Sequence, residues 1–188
     1  VCVIVSSQKV KNMNLIDYLP GIPDFPKPGI LFRDISPLLG NPRAFRYAIE
    51  QMAQLAKDWE YTHILGIESR GFILASAIAI DSAVGFVPIR KAGKLPGAVI
   101  KREYGLEYGS DSLEMQVDAL AHVKDPRVLL IDDVLATGGT LIAALELISD
   151  LAGEICEVAV LLEISALGGR ERILTVFPKL MIRALVQV

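Results

Sequence analysis

Histidine, cysteine and aromatic residues are scarce in this sequence of 188 residues. It contains two histidines, two cysteines and 6% aromatic residues. Cys2 and Cys156 do not have the spacing of a zinc site, and we expect both to be free thiols. Because His63 and His122 are the only imidazoles and both have ordinary structural neighbours, the sequence disfavours a histidine-based metal site or catalytic relay.

Long apolar runs and an excess of basic charge are missing as well. The longest apolar stretch, Ile73–Ile80, is much shorter than the ~20 residues that cross a bilayer. The segment Val1–Val5 is too short for the core of a signal peptide. The net charge of −3 is unlike the basic footprint of a nucleic-acid binder. We therefore expect a cytoplasmic protein that binds neither membranes nor nucleic acid, and that holds any anionic ligand by local charge.

What the sequence does contain is ample material for a hydrophobic core. Hydrophobic residues make up 52% of the chain and charged residues 22%, which predicts a single domain over residues 1–188. Apolar runs typical of buried strands alternate with helical segments. The predicted strands are 63–67, 85–89, 113–117, 128–131 and 158–162, and the predicted helices are 72–82, 140–151 and one that begins at Pro42 after the N-cap Asn41. This alternation predicts an α/β fold with a central, mostly parallel sheet flanked by helices.

Two segments interrupt that alternation. Leu19–Leu39 contains five prolines, which exclude a continuous helix and favour an ordered loop. Lys91–Gly109 is rich in glycine and charged residues, and we predict a long, exposed and mobile loop there.

The strongest chemical signal is the run Val128–Thr140, in which a hydrophobic strand leads through a loop of small residues directly into a helix. Gly138 and Gly139 permit close approach of the backbone to a ligand. The start of the helix offers free N–H groups and the positive end of the helix dipole. Neither a Walker A lysine nor the G-x-G-x-x-G dinucleotide pattern is present. We predict a phosphate-binding loop formed by Ala136, Thr137, Gly138, Gly139 and Thr140.

An acidic pair, Asp132 and Asp133, separates the strand from this loop. Carboxylates beside an anion site make chemical sense if they accept hydrogen bonds from sugar hydroxyls, or if they stabilise a cationic sugar in a transition state. Adjacent residues of a strand face opposite sides of the sheet. We therefore expect Asp133 to have left strand geometry in order to join Asp132.

The run Val128–Thr140 resembles the phosphoribosyl pyrophosphate motif of type I phosphoribosyltransferases. The resemblance implies that residues 136–140 bind the 5-phosphate and that Asp132 and Asp133 bind the ribose. A second block, Asp24–Pro37, is similar to the base-binding hood of the adenine-specific members. It implies a hood over residues 15–39 in which Phe32 stacks on adenine and the backbone of Leu31 and Arg33 contacts the base, while Ile164 packs under it.

Three further blocks resemble the same family in the same order along the chain. Gly66–Phe72 is similar to the pyrophosphate loop, which in the family contains a cis peptide that we place between Glu68 and Ser69. Val87–Gly97 resembles the next block, and Tyr104–Gly109 resembles the tip of the flexible catalytic loop, here 91–109. The residues that the resemblance implies for pyrophosphate are Glu68, Ser69, Arg70, Arg90, Lys91 and Lys94. It further implies that Arg70 takes part in catalysis, that Glu107 is the general acid or base, and that Tyr108 helps to seal the site.

The resemblance implies an enzyme of purine salvage that joins adenine to 5-phosphoribosyl 1-pyrophosphate and releases AMP and pyrophosphate. It also implies a Mg²⁺ ion held through substrate oxygens, with no metal ligands of its own in the sequence, and a homodimer. Two alternatives stay open at this point. One is a phosphoribosyltransferase for another purine base, and the other is a non-catalytic regulator that senses phosphoribosyl pyrophosphate. Residues 1–14 and 177–188 match nothing that assigns them a role.

Overall fold

The structure is a computed structural model that describes residues 13–55, 60–106, 109–151 and 153–188. The chain forms two compact units, residues 1–50 and 51–188. In the part of the chain that the structure describes, every helix is too short or too polar to cross a membrane.

The N-terminal unit contains a small hairpin where the sequence is richest in proline. After a 3₁₀ turn at Leu15–Tyr18, β1 (Gly21–Pro23) pairs with β2 (Leu31–Arg33) in antiparallel fashion. The connection is held by the Asp24 carboxylate, which accepts the N–H of Gly29 at 2.7 Å. The prolines thus exclude a continuous helix, as predicted, and the ordered connection includes two short strands that the sequence did not indicate.

Two helices follow the hairpin, α1 (Ser36–Gly40) and α2 (Pro42–Leu55). The side-chain oxygen of Asn41 accepts the N–H groups of Arg43 at 3.1 Å and Ala44 at 3.0 Å. Both donors are among the N–H groups that the first turn of a helix leaves without a partner. The predicted N-cap at Asn41, with proline at the first helical position, is confirmed.

The larger unit is built on a seven-stranded sheet with the strand order β5-β6-β4-β3-β7-β8-β9. The five strands from β4 to β9 in that order are parallel, and β5 and β6 form an antiparallel hairpin at one edge. This arrangement confirms the predicted α/β fold with a mostly parallel sheet. The strands are β3 (His63–Ile67), β4 (Gly85–Lys91), β5 (Val99–Leu106), β6 (Gly109–Gln116), β7 (Arg127–Leu135), β8 (Glu154–Glu163) and β9 (Met181–Gln187).

Three helices pack on this sheet, α3 (Arg70–Ser82), α4 (Gly139–Asp150) and α5 (Gly169–Val176). The central strands are buried on both faces, and all four side chains of the run 128–131 are 0% exposed. Because β7 is buried on both faces there, its sequence over 128–131 is a continuous apolar run and does not alternate between apolar and polar residues. Because the strands are parallel, the carboxyl ends of β3, β4, β7 and β8 meet at one edge of the sheet, and this edge carries the candidate site.

The prediction of a long exposed loop over 91–109 is wrong for Val99–Leu106, which forms β5. Half-buried Ile100, Arg102 and Tyr104 alternate there with exposed residues, the period expected of a strand with one covered face. Arg102 forms ion pairs with Asp150 and Glu146 of α4. The covered face is therefore partly polar, which hid its alternation in a segment rich in charge and glycine.

Candidate active site

The acidic pair lies near the carboxyl end of β7, where Asp132 and Asp133 are 8% and 6% exposed. The expectation that Asp133 leaves the strand is wrong, because β7 continues to Leu135 in register with β8. Both carboxylates nevertheless contact the first turn of α3. Asp133 Oδ2 pairs with Arg70 Nη2 at 2.8 Å, and Asp132 Oδ1 lies 2.9 Å from the point that a Cβ on Gly71 would occupy. Because Gly71 has no side chain, the Asp132 carboxylate has space to approach the first turn of α3.

Burial governs the charge state of this pair. Desolvation raises the pKa of Asp132 well above its ordinary value, and the negative charge of Asp133 adds to that rise. Desolvation also raises the pKa of Asp133, although the Arg70 guanidinium opposes the change. Two full negative charges are therefore disfavoured side by side, and the pair is suited to a ligand that brings hydrogen-bond donors or positive charge.

The loop after β7 has the geometry expected of an anion cradle. Gly138 has a φ of +81° and precedes the first residue of α4, Gly139. A Cβ on Gly138 would lie 2.8 Å from the carbonyl oxygen of Gly169, so both its conformation and its surroundings require glycine. The first N–H groups of α4 have no partner within the helix. Thr137 and Thr140 flank these glycines at the start of α4, and Ala136 precedes them.

Three of the cations that the sequence singled out are each paired with a carboxylate. Arg70 pairs with Asp133 as described. Arg90 donates from Nε and Nη2 to the two oxygens of Glu68, both at 3.2 Å. Lys91 Nζ lies 2.8 Å from Asp111 Oδ2. The hydrogen bond to Asp111 raises the pKa of Lys91, and the same contact lowers the pKa of Asp111.

The loop between β3 and α3 contains the predicted cis peptide between Glu68 and Ser69, which is confirmed. The Glu68 carboxylate accepts hydrogen bonds from Arg90 and from the backbone N–H of Lys91 at 3.0 Å. The Glu68 side chain thus orients the Arg90 guanidinium. Ser69 is exposed and immediately precedes α3.

A residue that the sequence interpretation missed, Glu114, organises the loop that carries Lys94. Its carboxylate is 4% exposed and accepts the N–H groups of Gly93, Lys94 and Leu95 at 3.0, 2.8 and 2.8 Å. Arg90 holds the other side of the loop by donating to the Lys94 carbonyl at 3.2 Å. Burial raises the pKa of Glu114, but the three donors outweigh it and the net shift is downward. The signal in the sequence was a glutamate between apolar residues of a predicted strand. A carboxylate buried in such a strand needs hydrogen-bond donors around it.

The end of β5 contacts the start of α4. The Tyr104 hydroxyl donates to Asp111 Oδ2 at 3.4 Å, and Tyr104 Cδ2 lies 3.9 Å from the point that a Cβ on Gly139 would occupy. The carbonyl oxygen of Gly105 lies 3.4 Å from the point that a Cβ on Gly139 would occupy. The strand that leads to the predicted catalytic tip therefore touches the predicted phosphate loop.

The residues predicted to contact the base lie in β2 and directly after β8, and two further predicted residues lie outside the described part of the chain. Leu31, Phe32 and Arg33 form β2 of the N-terminal unit, where the Phe32 ring meets the Phe25 ring edge-on at 5.1 Å. Ile164 follows β8 in the larger unit and donates its N–H to the carbonyl of Leu135 at 2.9 Å, which places it at the end of the acidic strand. The predicted acid or base Glu107 and its neighbour Tyr108 lie outside the described residues.

Known proteins share this arrangement. Residues 35–181 match the family described as the phosphoribosyl transferase domain. An adenine phosphoribosyltransferase of Polynucleobacter asymbioticus is 60% identical over 161 residues, which cover 86% of this chain and 92% of the relative.

Solved structures agree with the sequence relatives. The enzyme of Giardia lamblia complexed with 9-deazaadenine has a TM-score of 0.85 and 41% identity, covering 94% of this chain and 99% of that one. An adenine phosphoribosyl transferase of Trypanosoma brucei in complex with AMP, pyrophosphate and ribose-5-phosphate has a TM-score of 0.84 and 30% identity, covering 94% and 81%. With a glycine loop at a helix start, an acidic strand end and this degree of identity over most of its length, the chain belongs to the adenine phosphoribosyltransferases, within the wider phosphoribosyltransferase family.

Proposed function

We propose that this transferase moves the 5-phosphoribosyl group from 5-phosphoribosyl 1-pyrophosphate to adenine, giving AMP and pyrophosphate in purine salvage. The observation that carries the proposal is the junction at the end of β7. There the buried pair Asp132 and Asp133 directly precedes a glycine loop at a helix start, with Arg70 in contact with the pair. A sugar phosphate needs both halves of such a junction, since its hydroxyls donate hydrogen bonds and its phosphate accepts them.

The 5-phosphate is bound in this proposal by residues 136–140, through backbone N–H groups and the hydroxyls of Thr137 and Thr140. Asp132 and Asp133 accept the ribose hydroxyls. When the bond between ribose C1 and pyrophosphate breaks, positive charge develops on the sugar. Burial disfavours the ionisation of both carboxylates at once, so the positive charge on the sugar stabilises the ionised pair. This attraction lowers the energy of the transition state and therefore the barrier to the reaction.

The leaving pyrophosphate is bound by Arg70, Arg90, Lys91 and Lys94, and by the backbone of Glu68 and Ser69. Each of the first three cations already has a carboxylate partner, which keeps the side chains ordered before a ligand arrives. A guanidinium has five N–H donors, so Arg70 and Arg90 can bind phosphate without losing their carboxylates. An ammonium also has donors to spare, and Lys91 can contact an anion while it still pairs with Asp111.

A magnesium ion fits this donor set only in part. Among the described residues no group of three or more acidic, histidine or cysteine side chains could hold a metal, whereas Asp132 and Asp133 are two oxygen donors side by side. Magnesium is often bound by one or two carboxylates together with substrate oxygens and water. We propose that it is held through oxygens of the substrate beside these two aspartates, and that when bound it would offset the charge of the pyrophosphate.

The base is contacted by Phe32, by the backbone of Leu31 and Arg33, and by Ile164. Stacking suits a flat purine ring, and such contacts contribute ~1–3 kcal/mol each in nucleic-acid complexes. Glu107 exchanges the proton of the adenine ring, and Tyr108 helps the 91–109 segment to exclude water, which would otherwise capture the sugar. A homodimer and a cytoplasmic location complete the proposal.

The deciding experiment is formation of AMP and pyrophosphate from 5-phosphoribosyl 1-pyrophosphate, with adenine, hypoxanthine, guanine or xanthine as the base. It is run with Mg²⁺ and after chelation. We expect turnover with adenine that depends on the metal. Turnover with another base alone would reassign the substrate, and binding of 5-phosphoribosyl 1-pyrophosphate with no turnover on any base would identify a regulator instead of an enzyme.

A further inference from the structure

Arg172 of α5 places a guanidinium on the phosphate loop from outside the β7–α4 segment. Its Nη1 donates to the carbonyl oxygen of Thr137 at 3.3 Å. The same nitrogen lies 3.8 Å from the point that a Cβ on Gly139 would occupy. The guanidinium therefore reaches both sides of Gly138, the residue at which the loop turns into the helix.

The turn that carries Arg172 is fixed against the loop by direct backbone packing. A Cβ on Gly169 would lie only 2.1 Å from the carbonyl oxygen of Ala136 and 2.9 Å from the nitrogen of Gly138. The Gly169 carbonyl in turn occupies the space beside Gly138. The backbones of the two segments approach each other directly at these glycines, so a movement of one requires a movement of the other.

A second contact anchors the same turn to the sheet. Arg170 donates from Nε to Glu163 Oε1 at 2.9 Å and from Nη1 to the carbonyl of Ile182 at 2.7 Å. Glu163 is 4% exposed and also accepts a hydrogen bond from Gln187. Arg172, two residues along α5, thus extends from a turn tied to β8 and β9. Its side chain is exposed, and the hydrogen bond to Thr137 directs its guanidinium to the loop.

The charge of Arg172 differs in its surroundings from that of Arg70, Arg90 and Lys91. Arg70, Arg90 and Lys91 each face a carboxylate, whereas Arg172 forms no ion pair with any residue the structure describes. Its hydrogen bond to the Thr137 carbonyl uses one of five donors. The loop itself contains no cation, so Arg172 adds a full positive charge to the partial positive charge at the start of α4.

We propose that Arg172 is a ligand of the 5-phosphate, and that it favours substrates and products with a phosphorylated ribose. The proposal rests on the proposed function, because it concerns the same loop and deepens its assignment. One face of the guanidinium holds Thr137 in place, and its remaining N–H groups donate to the phosphate. Charge-assisted bonds of this kind are roughly twice as strong as neutral ones.

The test measures equilibrium binding to the full-length wild type, Arg172→Gln, Arg172→Lys and the charge control Lys124→Gln. Lys124 is exposed and precedes β7, at the opposite end of the strand from the loop. The ligands are AMP and ribose 5-phosphate, which contain the 5-phosphate, and pyrophosphate, which does not. We expect Arg172→Gln to weaken AMP and ribose 5-phosphate about tenfold or more and to flatten the salt dependence of their binding, with pyrophosphate unchanged. Arg172→Lys should retain part of the affinity, and Lys124→Gln all of it.

Unchanged affinity of Arg172→Gln for both 5-phosphates would overturn the proposal. Equal weakening of pyrophosphate would also overturn it, because that result identifies a general loss of structure at the site. Failure of the wild type to bind ribose 5-phosphate or AMP at all would instead refute the proposed function, so the two failures are distinguishable.

Discussion

Replacing Glu114 by glutamine tests whether a buried carboxylate orders the loop of Lys94. Glu114 Oε2 accepts one N–H, from Gly93, and Oε1 accepts two, from Lys94 and Leu95. Glutamine keeps one oxygen acceptor, which can retain two of the three bonds. Its amide group then faces the remaining N–H with a donor, so at least one bond to a charged acceptor is lost.

The lost bond sets the lower bound of the effect, since the two retained bonds also change from a charged to a neutral acceptor. A hydrogen bond to a charged group contributes roughly 1.5–3 kcal/mol, so we expect the free energy of unfolding to fall by about 2 kcal/mol or more. The loosened loop no longer fixes Lys94, and we expect the KM for 5-phosphoribosyl 1-pyrophosphate to rise severalfold while the KM for adenine is unchanged. Urea unfolding and steady-state kinetics measure the two effects. Glu103→Gln is the matched control, because Glu103 is exposed and lies on the neighbouring strand β5.

The stability difference should also depend on pH with a defined sign. The pKa of Glu114 is lowered in the folded protein from its ordinary value of 4.5. Its contribution is therefore fully present above about pH 4.5 and is lost as pH falls through the lower folded pKa. The difference in unfolding free energy between wild type and Glu114→Gln should be largest near neutral pH and shrink in acid. If Glu114→Gln matches Glu103→Gln in stability and in KM, the carboxylate does not order this loop.

Three further substitutions address the chemistry of the site. Glu107→Gln should lower turnover by about 100-fold or more with little change in binding of 5-phosphoribosyl 1-pyrophosphate, and equal turnover would remove the acid or base role. Asp132→Asn should abolish AMP binding in a calorimetric titration. The unfolding free energy at neutral pH should stay equal or rise, because burial raises the pKa of Asp132 and the neutral amide does not ionise. An unchanged AMP affinity would contradict the ribose assignment. Gly169→Ala should destabilise the fold by about 1–3 kcal/mol through overpacking, since the added carbon would lie 2.1 Å from the Ala136 carbonyl oxygen. It should also weaken the binding of AMP more than that of pyrophosphate. An AMP affinity equal to that of the wild type would show that the loop does not depend on α5.

The sequence predicted the elements whose signal is local. Val128–Ile131 is apolar without interruption because β7 is covered on both faces, and Asn41-Pro42 marks a helix start because the cap and the proline act on adjacent residues. The sequence could point to the proposed phosphate loop for the same reason, since its glycines, hydroxyls and helix start occupy five consecutive positions. The strand 63–67 and helix 72–82 were located to within about two residues, the usual uncertainty of element ends.

What the sequence did not reveal depends on contacts between distant segments. β5 is a strand because α4 supplies carboxylates for Arg102, and no pattern within 91–109 records that partner. β9 completes the parallel edge of the sheet from residues 181–187, which are too short and mixed to stand out alone. Glu114 and Gly169 have specific neighbours at the site, among them the N–H groups of 93–95 and the Ala136 carbonyl, and only the fold brings these together.

The pairing of the site's cations explains how a protein of net charge −3 can present a polyanion site. Unpaired cations crowded at one edge of the sheet would repel one another and lower the stability of the fold. Glu68 and Asp111 remove that repulsion for Arg90 and Lys91 while holding their heads in place. In the proposed function, an arriving pyrophosphate shares donors that are already oriented, so less side-chain entropy is lost on binding. By the same reasoning Arg172, which forms no ion pair with a carboxylate among the described residues, is a cation whose charge is met when a phosphate occupies the loop.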